Sequence, residues 1–314
     1  MRYRPLGRTG LSVSEIGMGC ASYWGLSRFD EGEAVALVHR ALDLGITLFD
    51  TAPGYSRGEA EPRLGRALKG RSKEGLVIAT KAGTFHAGGG RTGRDFSPAA
   101  ITASVEASLR RLGLENLGLV QLHGPAASEL NDPLFEALER LRGRGLVTAF
   151  GANSFDPDVI TAIIAAPTLD VVMLDYNVLR PERRALITHA AAQGKGVLAG
   201  MPLAMGHVDG QIRKVRGIRD LWYAARALKN HRQELALAER FAFLRRLEGM
   251  SAAQASLAYV LEHPGVSAAV MGTTRLAHLE ANAAAPDMTL PADVRVRLEA
   301  AQGGRGFRFP PASS

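Results

Sequence analysis

The chain has 314 residues, 46% of them hydrophobic and 22% charged, with a net charge of +7. That balance can bury a large core and excludes global disorder. Cys20 is the single cysteine, which excludes an internal disulfide and any cysteine metal cluster. The basic surplus admits anionic partners, but no aromatic-interleaved RNA motif or zinc-finger spacing accompanies it. Positive charge is densest from Arg213 to Arg246, where Asp220, Glu234 and Glu239 interrupt it. It therefore reads as a solvated face or an anion-steering field rather than a nucleic-acid surface. The opening MRYRPLGRTG holds no apolar signal segment, and no apolar stretch is long enough to span a bilayer. A cytoplasmic protein without membrane or nucleic-acid partners is expected.

In chain order, Tyr3–Leu6 and Leu11–Glu15 flank Gly7 and Gly10 and predict a short hairpin. Short apolar runs then alternate with stretches of helical period. The runs are Ile16–Met18, Thr47–Asp50, Leu76–Lys81, Leu117–His123, Ala149–Ala152, Val171–Asp175, Gly196–Gly200 and Ala268–Met271. The helices between them are expected at Glu31–Asp43, Glu59–Leu68, Pro98–Leu112, Asp132–Arg142, Pro157–Ala165, Pro181–Ala192, Ser251–Glu262 and Leu276–Ala283. A last helix is expected near Pro291–Gln302. Continuous apolar strands joined by helices indicate a parallel sheet covered on both faces. A doubly wound open sheet is the alternative. Eight evenly spaced units without a linker favour an α/β (β/α)8 TIM barrel forming one domain over residues 1–314. Residues 84–97 and 202–250 exceed simple connections, and are expected to be long loops over the C-terminal face.

In such a barrel the active site lies where the strands end. Asp50, Lys81 and His123 end the second, third and fourth strands, and Asn153 with Ser154 follows the fifth. Each has a bland reading alone: an N-cap, a structural ion pair, a satisfied core histidine. Buried charges need partners or shift their pKa, and several converging on one rim are hard to explain as solvated surface.

The motifs FDTAPGY (49–55), IATKAG (78–83) and LVQLHGP (119–125) resemble the segments that carry the catalytic residues of the aldo-keto reductases. The opening YRPLGRTGLSVSEIGMG and the late GTTRLAHLEAN (272–282) are similar to that family as well. The resemblance implies a nicotinamide-dependent oxidoreductase whose catalytic residues are Asp50, Tyr55, Lys81 and His123. Carbonyl reduction moves a hydride to carbon and a proton to oxygen. Only the nicotinamide can supply the hydride. Tyr55 would supply the proton, Lys81 would ease its release, Asp50 would hold Lys81 charged, and His123 would hydrogen-bond the carbonyl oxygen.

For the cofactor, the resemblance implies contacts from Asn153, Ser154, Met173, Gly200, Met201 and Leu203 and from Gly272, Thr273, Thr274, Arg275, His278 and Asn282. Asn153-Ser154 reverses the family's common Ser-Asn order, and three single positions also depart: Met173 replaces a common glutamine, Gly200 an aromatic that stacks on the nicotinamide, and Ala281 a glutamate. Arg275 and His278 occupy positions the family uses beside the 2′-phosphate, which favours NADP(H) over NAD(H). Tyr23 and Trp24 are candidates for lining the substrate pocket, as are Trp222 and Tyr223. Arg91, Arg94 and Arg213 are candidates for steering an anionic substrate. The expected partner is a small carbonyl, alcohol or sugar lactol. A cofactor-binding regulatory subunit, as in the family's potassium-channel β subunits, is the alternative. Oligomeric state is not legible.

Overall fold

The computed structural model describes residues 1–87, 91–206, 208 and 236–303. Trp222, Tyr223, Arg213, Gly88–Gly90 and most of the basic stretch 221–246 lie outside the described residues. Two small hairpins stand apart from the main sheet. One is β1 (Tyr3–Pro5) with β2 (Ser12–Ser14); the other is β6 (Thr84–His86) with β7 (Thr92–Arg94). The eight remaining strands are β3 (Ile16–Gly19), β4 (Leu48–Asp50), β5 (Val77–Ala82), β8 (Leu117–His123), β9 (Val147–Asn153), β10 (Val171–Asp175), β11 (Gly196–Gly200) and β12 (Ala268–Met271). They pair in parallel in sequence order and close through β12 and β3. The expected (β/α)8 barrel is thus the observed one, and the open sheet is excluded.

The helices are α1 (Glu31–Asp43), α2 (Ala60–Leu68), α3 (Pro98–Leu112), α4 (Asp132–Gly143), α5 (Pro157–Ala165), α6 (Arg183–Ala192), α7 (Ala252–Leu261), α8 (Leu276–Ala283) and α9 (Ala292–Gln302). Their ends follow from local chemistry. Asp30 caps α1 by accepting from the Glu33 amide at 2.8 Å, Asn131 caps α4 through Leu134, and Ser251 with Gln254 forms a capping box on α7. Ser97 caps α3 with Pro98 in its first turn, and Gly113 ends that helix in the left-handed region. Four predicted helices start one or two residues later than expected, α7 and α9 because Ser251 and Pro291 are their N-caps. α2 begins at Ala60 and α6 at Arg183, because Glu59, Pro181 and Glu182 belong to the preceding turns.

Two apolar clusters fill the molecule. The larger lies between barrel and helices. The smaller fills the barrel with Leu48, Val77, Ala79, Leu119, Val171 and Leu198 among others, and the hairpin's Leu6 and Val13 plug its lower end. Gly7 makes that plug possible. It has φ +58°, and a β-carbon there would meet the Gly196 nitrogen. Arg4 locks the hairpin by donating to the carbonyls of Val266 at 2.7 Å and Leu261 at 2.8 Å. No helix among the described residues is long and apolar enough to cross a membrane.

Residues 84–97, expected as a loop, contain the β6–β7 hairpin, in register Thr84↔Arg94 and His86↔Thr92. Threonine, phenylalanine and histidine at 84–86 suit an extended pair, a signal masked by the glycines that follow.

Candidate active site

Period-two alternation carries the core into the site. Along β4 the inward row runs Leu48 to Asp50, along β5 Ala79 to Lys81, and along β8 Leu119 through Gln121 to His123. Each row is apolar in the barrel and polar at its C-terminal end. The register brings the ends together, with Asp50 opposite Ala79, Lys81 opposite Gln121 and His123 opposite Asn153.

Lys81 and Asp50 form a buried ion pair. Nζ donates to Oδ1 at 2.8 Å and Oδ2 at 2.7 Å, and also to the Thr51 carbonyl at 3.0 Å. The Lys81 side chain is 1% exposed. Burial pulls the lysine down, but the Asp50 and Tyr55 charges and hydrogen bonds outweigh it and hold Lys81 above its ordinary value. Burial pushes the Asp50 carboxyl up, while Lys81 and Gln121 oppose that. With three acceptor oxygens around Nζ, the proton rests on the lysine. Gln121 Nε2 completes the carboxylate's shell at 3.1 Å.

Tyr55 stands over this pair. Lys81 Nζ lies 4.8 Å from its ring centroid, and the ring meets His123 edge-on, with centroids 5.7 Å apart at 86°. Nδ1 of His123 is 2.5 Å from the Thr84 hydroxyl. Burial first, then the Lys81 and Arg94 charges, lowers His123 to about 3. The imidazole is therefore neutral at physiological pH. An unfolded histidine takes up its proton near 6.5, whereas the folded one resists it down to about 3. Between those values the unfolded state binds more protons, so stability falls on acidification through that window. His123→Gln is expected to lose less of its thermal midpoint between pH 7 and pH ~4.5 than the wild type does, as read by calorimetry.

Cys20 follows β3, its amide donating to the Asp50 carbonyl at 2.7 Å. Burial and the Asp50 charge raise its thiol strongly, against a smaller lowering by Lys81, so it stays protonated and behaves as a small buried hydrophobe.

Backbone strain gathers at this face. The non-glycine residues with positive φ among the described residues are Ser22, Ser56, Arg57, Met201 and Ala204. All sit in loops after β3, β4 and β11. Each costs roughly 1 kcal/mol or more, and such strain clusters at functional sites. Ser56 Oγ donates to the Ser22 carbonyl at 2.7 Å and ties two of these loops together. Arg63 binds the first loop further, donating to the carbonyls of Trp24, Leu26 and Phe29. Trp24 is 1% exposed, with Nε1 donating to the Ala34 carbonyl of α1, and Tyr23 packs edge-on to Phe29. Both rings are thus held in the core under the loop.

Next to His123, at the end of β9, Asn153 Oδ1 is buried with no hydrogen-bond partner among the described residues. Ser154 Oγ accepts from the Asp156 amide at 3.1 Å. Gly200 faces Met173; a β-carbon there would meet the thioether carbon at 3.5 Å and the sulfur at 3.7 Å. Asn177 Nδ2 donates to the Met201 carbonyl at 3.0 Å and fixes the strained turn that holds Leu203. At the last strand, the Arg275 amide donates to Thr273 Oγ1 at 3.2 Å, and Arg275 occupies the N-cap position of α8. Gly272, Thr274 and His278 lie along this segment. Asn282 is buried and donates to Met271 Sδ at 3.7 Å. One observation fits a nicotinamide: the amide oxygen at the end of β9 is buried and, among the described residues, unpartnered.

Gln121, Thr84, Asn177 and Arg63 were not anticipated as site residues. Gln121 carries a signal, since it shares the inward row of an apolar strand with His123. The other three make contacts between segments far apart in the chain, and nothing local marks them.

A parallel eight-stranded barrel with a buried lysine–carboxylate pair, a tyrosine and a neutral histidine at its C-terminal rim defines the class: a barrel enzyme equipped for proton transfer. The model of the Aldo/keto reductase family matches residues 15–302, and the chain belongs to that family of oxidoreductases. It is 29% identical to D-threo-aldose 1-dehydrogenase of a Pseudomonas species, over 93% of this chain and 95% of that protein. It is 27% identical to a probable voltage-gated potassium channel subunit beta of Oryza sativa subsp. japonica, over 92% of each. The holo form of aldo-keto reductase AKR11C1 from Bacillus halodurans superposes with a TM-score of 0.80 at 28% identity, covering 96% of both chains.

Proposed function

We propose that the chain, as one barrel domain over residues 1–314, is a cytoplasmic NADP(H)-dependent oxidoreductase. It interconverts an aldehyde or ketone with its alcohol, or a sugar lactol with its lactone. The observation that carries the reading is the buried Asp50–Lys81 pair beneath Tyr55, with neutral His123 edge-on to the phenol. A bound nicotinamide supplies or accepts the hydride. Tyr55 donates its phenolic proton to the substrate oxygen in reduction, and takes the hydroxyl proton back in oxidation. Lys81 stabilises the resulting tyrosinate, and Asp50 with Gln121 keeps the ammonium charged and aimed. His123, neutral, donates a hydrogen bond to the same oxygen. The residues that would hold the cofactor are Asn153 and Ser154 at the carboxamide, Met173, Gly200, Met201 and Leu203 around the ring, and Gly272–Arg275, His278 and Asn282 at the adenosine end.

Turnover of NADPH and NADP⁺ against a panel of aldehydes and aldoses tests this. Hydride transfer with at least one substrate is expected. Tight NADPH binding without turnover on any substrate would instead favour a regulatory subunit, the reading that Gly200 and Met173 leave open and that the likeness to a channel β subunit suggests. For the phosphate, Arg275→Ala is expected to raise the KM for NADPH by ~10-fold, about 1.4 kcal/mol, and to leave that for NADH unchanged in steady-state kinetics.

A further inference from the structure

Thr84 opens β6 three residues after Lys81 and is buried. Its hydroxyl makes its one hydrogen bond among the described residues to Nδ1 of His123. The hairpin that presents it leans on the tyrosine loop, since a β-carbon at Gly54 would meet the Phe85 and His86 backbone at 3.8 Å. The ring of His123 is thus held between a hydroxyl at Nδ1 and the edge-on phenol of Tyr55.

A neutral imidazole has one N–H and one lone pair. A carbonyl oxygen only accepts, so a proton on Nδ1 would leave Nε2 presenting a lone pair to a lone pair. We infer that Thr84 is a positioning residue: its hydroxyl donates to Nδ1 of His123 and so keeps the ring's single proton on Nε2, facing the substrate oxygen. Arg94 stands opposite Thr84 in the hairpin register. Its guanidinium is ion-paired with Glu129 at 3.0 Å, so the Thr84 hydroxyl is the group that meets Nδ1. Thr84 touches no reacting atom; it acts through His123 by fixing which nitrogen donates. The inference rests on the reading that His123 donates to the substrate oxygen.

The test is nitrogen NMR of the full chain with isotope-labelled histidine, His123 being assigned by the loss of its signals in His123→Gln. The tautomer is read without any need for turnover. The wild type is expected to carry the proton on Nε2. Thr84→Val, equal in shape, is expected to lose that single tautomer and to lower kcat by ~10-fold or more, within the range for a lost catalytic hydrogen bond, with the cofactor KM unchanged. Thr84→Ser is expected to restore both. A wild-type proton on Nδ1 overturns the inference. So does a Thr84→Val variant that keeps the wild-type tautomer and kcat. A wild type that shows the Nε2 proton but neither reduces a carbonyl with NADPH nor oxidises an alcohol or aldose with NADP⁺ refutes the oxidoreductase reading instead, and leaves the tautomer assignment standing.

Discussion

Lys81→Met is expected to abolish measurable turnover and to cost the fold about 3–5 kcal/mol, the penalty for removing one member of a buried ion pair. The reason is geometric. Both Asp50 oxygens are satisfied by Nζ, and only Gln121 would remain beside them. An uncompensated carboxylate in the barrel is either paid for in stability or protonated. The double variant Asp50→Asn with Lys81→Met separates the two roles. Removing both charges is expected to recover most of the lost stability, because the desolvation penalty disappears with the pair. Turnover is not expected to return, since nothing is left to stabilise tyrosinate. Denaturant unfolding and steady-state kinetics on the four members of the cycle check this. Equal stability of Lys81→Met and wild type would show that the pair is not the buried anchor described above.

The barrel was legible because its strands are short apolar runs, each bounded by helix caps that depend on neighbouring residues only. Asp30, Ser97, Asn131 and Ser251 all cap the helices that the periodicity predicts. The buried Asp50–Lys81 pair was legible for a related reason. A charged residue ending an otherwise apolar strand is costly wherever it points inward, so Asp50 and Lys81 stand out from their own strands. What escaped the sequence lies in contacts between segments. The Thr84–His123 bond depends on a hairpin whose register no local pattern sets. Arg63 looks like any charge on a helix until its guanidinium is seen gripping three carbonyls of the β3–α1 loop. Trp24 illustrates the reverse: an aromatic just past a strand end reads as a pocket wall, yet its indole N–H is spent on α1.

Tyr55→Phe is expected to lower turnover by ~100-fold or more, the range for removing a general acid, with little change in stability. The two expectations come from different parts of the same side chain. The ring packs edge-on to His123 and sits 4.8 Å from Nζ, and phenylalanine keeps both contacts. In the proposed mechanism the hydroxyl alone carries the proton. A variant that folds, binds NADPH as the wild type does and fails only in the chemical step therefore isolates proton transfer from packing. The comparison with Lys81→Met is informative in turn, because that variant is expected to fail in both. Reduction consumes a proton and oxidation releases one, so the wild type is expected to favour reduction at lower pH and oxidation at higher pH. Tyr55→Phe should flatten both profiles. Near-wild-type turnover in this variant would remove Tyr55 from the chemistry and leave the Asp50–Lys81 pair as a structural element alone.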